Sequence, residues 1–583
     1  MTGFSIERRP FTGAAVDALS GAGEQFVNWP VVYLLNDARS VYVGETLNAS
    51  KRLRQHRDAR ARHRDMKQLR IVLGERFNKS ACLDLESQLI RYLSGDGTRE
   101  VRNRNDGVTD ADYFDRRTYQ QTFDEIFDAL RGEGLFSKSR TEIENSDLFK
   151  LSPFKALAPQ QRAAVEHILE ALFDDLAEGR GSTSVVEGAA GTGKTIVAIF
   201  LIKLITDVAT AGDGAYRESD SVFSDFFLPD FRRLADGLRI GLVIPQQSLR
   251  ASVGEVFKRT PGLRKSMVMS PFKVGNDEGH FDLLIVDEAH RLTRRANQAT
   301  PTLNTNYREI NERLFGRDDG EFTQLDWIRK KSAHQIFLLD SGQSVRPADL
   351  AEPTQRQLIV GAQKAHRHHR LMTQMRVKAG TDYVQYVRRV LSGERPAPID
   401  VGEYELRFFD DANAMRDAIL TRERRFGLSR MLAGYGYEWK SKKNPEAFDI
   451  ETGGFKGRWN SATTDWINSP GSIDEVGSIH TVQGYDLNYA GVIIGPELYW
   501  DSETQQIRVD RDQYRDRKGK EANRKRGIEV TDEDLFRLIV NIYTVLMTRG
   551  MRGTFVYVHD EGLRERLRSA FDLRKRMSRS WAR

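Results

Sequence analysis

The chain has 583 residues, enough for three or four compact units, and 39% of them are hydrophobic, which excludes a disordered protein. Lys and Arg number 89 against 83 Asp and Glu, so the net charge of +6 permits nucleic-acid binding without demanding it. The single cysteine, Cys82, excludes an internal disulfide and any cysteine-cluster metal site. With no signal-like run at the start and no stretch near the roughly 18 apolar residues of a membrane span, a soluble cytoplasmic protein is expected.

Residues 1–28 carry no strong pattern. From Trp29 two short strand-like runs, 31–35 and 41–44, flank a polar turn and read as a hairpin. A helix is expected over about 48–64 with Leu53 inward, then a strand at 69–74 and a helix from about Lys79 to Leu93. The Asn- and Gly-rich run 102–107 closes this unit, and 116–150 reads as a helix plus a charged linker. From Leu157 strands alternate with helices: 184–188, 239–245, 281–288 and 335–340 are buried-strand runs, and 477–482, 490–495 and 553–558 form a second series. The predicted division is an N-terminal segment 1–28, a front domain 29–115, a helical linker 116–155, one lobe over 156–365, and a second over 366–583 with insertions and a basic C-terminal helix.

GAAGTGKT (188–195) fits G-x-x-x-x-G-K-[ST] between a strand and a helix. Gly188, Gly191 and Gly193 let backbone N–H groups crowd phosphates, with Thr192 in the same loop. Lys194 reaches the β/γ-phosphates, and the Thr195 hydroxyl holds Mg2+. IVDEAH (285–290) ends a later strand. Asp287 is expected to bind Mg2+ through its water shell and Glu288 to orient and deprotonate the attacking water. A leaving γ-phosphate also needs positive charge from the far lobe, and Arg376 or Arg549 is placed to act as an arginine finger.

This series resembles a superfamily 1 helicase core, and more closely the Schlafen-like DNA/RNA helicase domains of bacterial proteins, over about 155–560. Leu157-x-x-x-Gln161-x-x-Ala164 is similar to the adenine-sensing Q-type motif, and Ile244 to Leu249 to motif Ia. Leu339 to Gln343 is similar to motif III, with Gln343 as γ-phosphate sensor, and Gln374-Met375-Arg376 to motif IV. Ile479 to Gly484 is similar to motif V and Val545 to Gly550 to motif VI. The stretch 377–475 is short for the accessory domains of processive helicases. Its aromatics Tyr435, Tyr437, Trp439, Trp459 and Trp466 either stack bases or, as aromatics more often do, fill a core.

In the front unit, Tyr33 and Tyr42 stand on the two hairpin strands, Arg52 and His56 one helical turn apart, and Glu86 on a later helix. Read chemically, this is a metal-dependent phosphodiesterase set. Glu86 is the Mg2+ ligand, Arg52 stabilises the pentacoordinate phosphate, and a tyrosine polarised by its neighbours helps activate water. The pattern resembles the GIY-YIG nuclease fold over about 29–107, with Asn103 or Asn105 as the closing asparagine. It departs from that pattern at Val31, where the signature has glycine. Segment 51–70 holds nine Lys/Arg against two Asp/Glu, either a solvated helix face or a phosphate-contacting one. Two further basic stretches, 511–526 and 564–583, remain open, the latter with Leu563, Leu567 and Phe571 at helical spacing for docking.

The expected fold class is therefore α/β: a small α+β front domain followed by two RecA-like parallel-sheet lobes. The expected cofactors are ATP and Mg2+, with Mn2+ as a further option at the nuclease site. The expected partner is nucleic acid, DNA ahead of RNA, with no membrane. The resemblance implies an ATP-dependent motor joined to an endonuclease and, on resemblance alone, a role in defence against foreign DNA. The alternatives are a nucleotide-gated nuclease without unwinding activity and an ATPase whose front domain only binds nucleic acid.

Overall fold

The computed structural model describes residues 3–58, 65–103, 113–212, 223–295, 300–340, 346–375, 377, 379, 383–462, 465–482, 485–517, 519–520 and 530–571. It packs as two compact units. One comprises Met1–Phe173, Thr195–Leu238 and Val253–Val268; the other comprises Asp174–Lys194, Arg239–Ser252 and Met269–Arg583.

In the first unit, five strands form a mixed sheet: β1 (Phe4–Pro10), β2 (Val31–Asn36), β3 (Ser40–Thr46), β4 (Gln68–Gly74) and β5 (Glu100–Val101), in the order β1-β4-β2-β3-β5. Every residue of β2 is buried, because the sheet is covered on both faces. Leu53, Tyr33 and Ile71 lie in one cluster, while Val32, Leu34, Cys82 and Leu89 lie in the other. The pattern-free start of the chain supplies β1, which pairs antiparallel with β4 along its whole length. Residues expected as a linker contribute to the second cluster: the helix Arg116–Gly132 brings Phe123, Ile126, Phe127 and Leu130, and Ile143 and Phe154 follow. Period-3.6 spacing of those four residues buries one stripe of that helix.

The second unit holds two sheets. β6 (Ser182–Gly188), β7 (Ile240–Val243), β8 (Val268–Met269), β9 (Phe281–Val286), β10 (Ser332–Leu339) and β11 (His368–Leu371) run in the order β11-β6-β10-β9-β7-β8. The β11–β6, β6–β10, β10–β9 and β9–β7 pairs are parallel. The second sheet contains β12 (Glu405–Phe409), β13 (Ser429–Ala433), β14 (Ile450–Thr452), β15 (Phe455–Trp459), β16 (Glu475–Ser478) and β17 (Leu487–Ile494). A two-stranded ribbon, β18 (Leu498–Asp501) and β19 (Gln506–Val509), precedes its last strand, β20 (Gly550–Val558). The order is β12-β20-β17-β13-β16-β15-β14, parallel except for the β14–β15 hairpin. Two predominantly parallel sheets with crossover helices are the α/β class expected, and in the first the phosphate-loop strand β6 lies between β11 and β10.

The run 477–482, expected as strand, divides at Ser478: β16 ends there and a helical turn Ile479–Val482 begins, with the Ser478 N–H donating to Thr481 Oγ1 at 3.1 Å. That hydroxyl offers the backbone a local alternative to the ladder. Tyr437, Trp459 and Trp466 are core residues. Leu563, Leu567 and Phe571 are the buried stripe of the helix Glu561–Phe571. Among the described residues no helix is long and apolar enough to cross a membrane.

One core group predicts a pH effect. Glu497 is fully buried; its Oε1 accepts from Tyr543, while its Oε2 has no hydrogen-bond partner among the described residues. Burial pushes its carboxyl up from 4.5 to about 7, against the Tyr543 hydrogen bond, which lowers it. A raised folded-state value favours folding below about 4.5, and that contribution is lost as pH rises through about 7. At about 1.4 kcal/mol per pH unit the swing is about 3 kcal/mol. Urea melts of wild type and Glu497→Gln from pH 5 to 8 are expected to show wild type losing stability relative to the variant as pH rises. Parallel profiles count against a buried, proton-holding Glu497.

Candidate active sites

The strand β6 runs apolar between β10 and β11 and ends at Gly188, from which the phosphate loop turns into the helix Lys194–Thr210. Gly191 and Gly193 have φ of 84° and 80°, the left-handed region where a Cβ is strained. A Cβ on Gly188 would meet Thr192 Oγ1 at 2.5 Å and the Leu371 carbonyl at 3.1 Å. The loop is thus a cradle that side chains would fill. Lys194 is buried and folds over it, its Nζ donating to the carbonyls of Gly188 at 2.6 Å and Ala189 at 3.0 Å, with Asp340 Oδ2 at 3.9 Å.

The acidic pair stands at the end of β9. Asp287 is fully buried, its N–H donating to the Val243 carbonyl, and the N–H of Glu288 donates to Asp287 Oδ1 at 3.0 Å. Glu288 adopts φ of 50°, a conformation costing on the order of 1–3 kcal/mol in a non-glycine residue and typical of functional sites. His290, unassigned from sequence, explains part of the arrangement. Its Nδ1 accepts from the Asp340 N–H at 3.3 Å, which leaves the ring proton on Nε2, facing Glu288 Oε2 at 3.1 Å. Burial pushes the Glu288 carboxyl up, but His290, Lys194 and Arg291 outweigh it and hold the group well below its usual range. The carboxylate is ionised at neutral pH.

A cleft opens beside this loop. Gly188, Ala189, Ala190, Thr192 and Asp340 line it from the ends of β6 and β10, and Val384, Gln385, Arg388, Thr544, Val545 and Thr548 line it from the helices Tyr383–Leu391 and Asp532–Met547 and the residue after the latter. The segment that follows β11 clasps the loop: Gln374 Nε2 donates to the Ala190 carbonyl at 2.7 Å, and the Met375 N–H donates to that of Gly191 at 2.9 Å. Arg549 follows Thr548; it is buried, its Nη1 donating to the Tyr485 carbonyl at 3.1 Å, and among the described residues it is not part of the cleft lining. Elsewhere Arg346 Nη2 lies 2.9 Å from His480 Nδ1, and Ser252 Oγ donates to Tyr485 Oη at 3.3 Å. Burial and Arg346 push His480 down to about 4 against the pull of Asp516, so it is neutral. Gln161 Oε1 accepts from the Ala158 N–H at 3.0 Å, one half of a capping box at the start of the helix Pro159–Glu178. Gln343 and Arg376 lie outside the described residues.

In the front domain the hairpin register sets Tyr33 opposite Gly44, and a Cβ on Gly44 would overlap the Tyr33 ring. The strand thus has to be bare where the ring crosses it. Tyr33 Oη lies 2.7 Å from His56 Nε2, and the Tyr42 and His56 rings pack edge-on with centroids 5.1 Å apart. Burial drives the Tyr33 phenol well above its usual range. Tyr42 and Glu86 add to the rise and Arg52 opposes it, so all three act on one hydroxyl. Five predicted side chains therefore converge. The phenol keeps its proton beside His56 Nε2. Asn103 has a different part: its Oδ1 accepts from the Val43 N–H and its Nδ2 donates to the Val43 carbonyl, extending β3 sideways. Asn105 lies outside the described residues. Among the described residues no group of three or more His, Cys, Asp or Glu is placed to enclose a metal alone. An ion at Glu86 would thus draw the rest of its shell from water and substrate phosphate, as Mg2+ commonly does.

Comparison with known proteins adds the family. The protein of *Saccharomyces cerevisiae* designated YPL245W is 25% identical over 469 residues, 73% of this chain and 94% of its own length. Among solved structures, the arterivirus nonstructural protein 10 helicase in complex with DNA is 11% identical with a TM-score of 0.25, over 67% of this chain; this chain spans 62% of it. The Pif1 helicase from Bacteroides with ADP-AlF3 and single-stranded DNA is 9% identical with a TM-score of 0.25, over 71% of this chain and 97% of that one. The family model described as Schlafen group 3, DNA/RNA helicase domain matches residues 182–560, well over half of the sequence. On a match of that extent, this chain belongs to the Schlafen group 3 DNA/RNA helicase domain family.

Proposed function

We propose that the chain is an ATP-driven nucleic-acid motor of the superfamily 1 type with a metal-dependent GIY-YIG endonuclease in front. Membership of the family by itself makes 182–560 a helicase-like domain of a nucleotide-hydrolysing class. The finer reading rests on one observation: the phosphate loop and the second-lobe helix end Thr544–Thr548 line a single cleft. A triphosphate bound on that loop is exposed to both lobes, so hydrolysis changes the contacts between them.

The loop glycines present backbone N–H groups to the phosphates, and Lys194 exchanges the carbonyls of Gly188 and Ala189 for β/γ-phosphate oxygens. Thr195 and Asp287 hold Mg2+, which supplies charge neutralisation at the phosphates. Glu288, ionised, orients the attacking water and takes its proton. Gln161 is assigned to the adenine, Gln343 to sensing the γ-phosphate, and Arg376 and Arg549 to its charge. In front, Glu86 holds Mg2+ or Mn2+ and Arg52 meets the scissile phosphate. Tyr33, Tyr42 and His56 orient and deprotonate water there. DNA is the favoured substrate, and destruction of foreign DNA is the favoured setting.

The test is ATP hydrolysis over a panel of single- and double-stranded DNA and RNA, with cleavage products run from the same tubes. Hydrolysis is expected to rise with nucleic acid, most with DNA, and cleavage to require Mg2+ or Mn2+. A flat response across the panel rejects the motor. Intact substrates in every tube reject the nuclease.

A further inference from the structure

Of the two predicted fingers, Arg376 lies outside the described residues and Arg549 is not part of the described cleft lining. Among the described residues two guanidinium groups line the cleft, Arg370 and Arg388. Arg370 belongs to β11 of the first lobe and lies 3.7 Å from Glu187, the same carboxylate that meets His368 at 3.0 Å. Arg388 comes from the second lobe, on the helix Tyr383–Leu391. That helix is anchored by Tyr383, Tyr386, Val387 and Val390, all buried in the second-lobe core with Ile539, Tyr543 and Leu546. Its other stripe, Val384, Gln385 and Arg388 at spacings of one and four, is the one that lines the cleft.

The end of the triphosphate that meets this stripe follows from the loop. Lys194, the residue type that reaches the β/γ-phosphates, rests on the carbonyls of Gly188 and Ala189, and those two residues are part of the cleft lining together with Asp340. The cleft therefore opens at the γ end of the nucleotide.

We infer that Arg388 is a catalytic residue that meets the terminal phosphate from across the cleft; this rests on the reading of the cleft as the triphosphate site. In the step it serves, the water oxygen bonds to the terminal phosphorus as the bond to the β,γ-bridging oxygen breaks. ADP leaves with the electron pair, Glu288 takes a water proton, and inorganic phosphate is the second product. Negative charge grows on the bridging and terminal oxygens, and a guanidinium offers two parallel donors to them where an ammonium offers a point charge. The helix is a rigid mount packed on the core, so the charge arrives with the second lobe as a body.

The experiment compares wild type, Arg388→Ala, Arg388→Lys, Arg389→Ala and Lys194→Ala, measuring kcat, KM and binding of a fluorescent ATP analogue. Arg389 is the exposed neighbour paired with Glu394 at 2.6 Å, on the helix but not in the cleft lining. Arg388→Ala is expected to lower kcat on the order of 10³-fold with analogue binding changed only a few-fold, and Arg388→Lys to restore little of it. Arg389→Ala should match wild type. Guanidinium at low millimolar concentration should restore part of the Arg388→Ala rate where urea does not. A merely structural role predicts no such rescue. Normal kcat in Arg388→Ala, or rescue by urea equal to that by guanidinium, overturns the inference. Absence of hydrolysis in wild type, or a fully active Lys194→Ala, overturns instead the assignment of the triphosphate site.

Discussion

Lys194→Ala protein is expected to lose ATP hydrolysis by at least about 10²–10³-fold, the range seen when one well-placed electrostatic group is removed from a transition state. The ammonium is buried on the phosphate loop, held by two loop carbonyls and facing Asp340. Without a ligand those carbonyls are its partners, and with one they are exchanged for phosphate oxygens, so alanine removes the charge that the loop was shaped around. Glu288→Gln should separate binding from turnover. It keeps the shape of the side chain but removes the proton acceptor, so nucleotide binding stays and hydrolysis stops. Because His290, Lys194 and Arg291 hold that carboxyl low, wild-type turnover should show no loss from Glu288 protonation anywhere near neutral pH. Radiolabelled phosphate release with equilibrium nucleotide binding on the same samples decides both. Normal hydrolysis by Lys194→Ala refutes the site.

Plasmid nicking in Mg2+ is expected from wild type and to vanish in Arg52→Ala and Glu86→Ala, each by at least about 10²-fold. Both side chains act electrostatically on the buried Tyr33 hydroxyl, in opposite directions. Tyr33→Phe keeps the ring that crosses Gly44 and loses the hydroxyl's contacts with His56 and Arg52 while both partners stay in place, so it should retain more activity than either of those variants. ATP hydrolysis in the Glu86→Ala protein should persist, since that helix belongs to the front domain. Equal nicking by wild type and both variants identifies the front domain as a binding module. Strand displacement assayed with the same Glu86→Ala protein separates a translocating motor from a nucleotide-gated nuclease.

What could be read in the sequence follows from which forces are local. The strand–loop–helix at 182–210 was legible because its glycines and apolar run answer to backbone geometry alone. The convergence of Tyr33, Tyr42, Arg52, His56 and Glu86 was legible because spacing on a hairpin and two helices fixes where side chains emerge. β1 was not, since Phe4–Pro10 is a half-exposed partner of β4 whose alternation is blurred by Arg8 and Arg9. The helices of 116–150 looked like a linker because charge covers their outer faces while Phe123, Phe127 and Ile143 are buried in a core built from distant residues. His290, Gln374 and Arg388 carry no pattern that sets them apart. Each acquires a role from a neighbour far along the chain: Asp340, Ala190 and the loop at Gly188.

The hold of Gln374 and Met375 on the carbonyls of Ala190 and Gly191 makes the strap that follows β11 and the phosphate loop one mechanical piece. For a triphosphate bound as proposed, whatever tightens that strap alters its affinity, and the triphosphate in turn shifts the strap by the same free energy, because linkage is reciprocal.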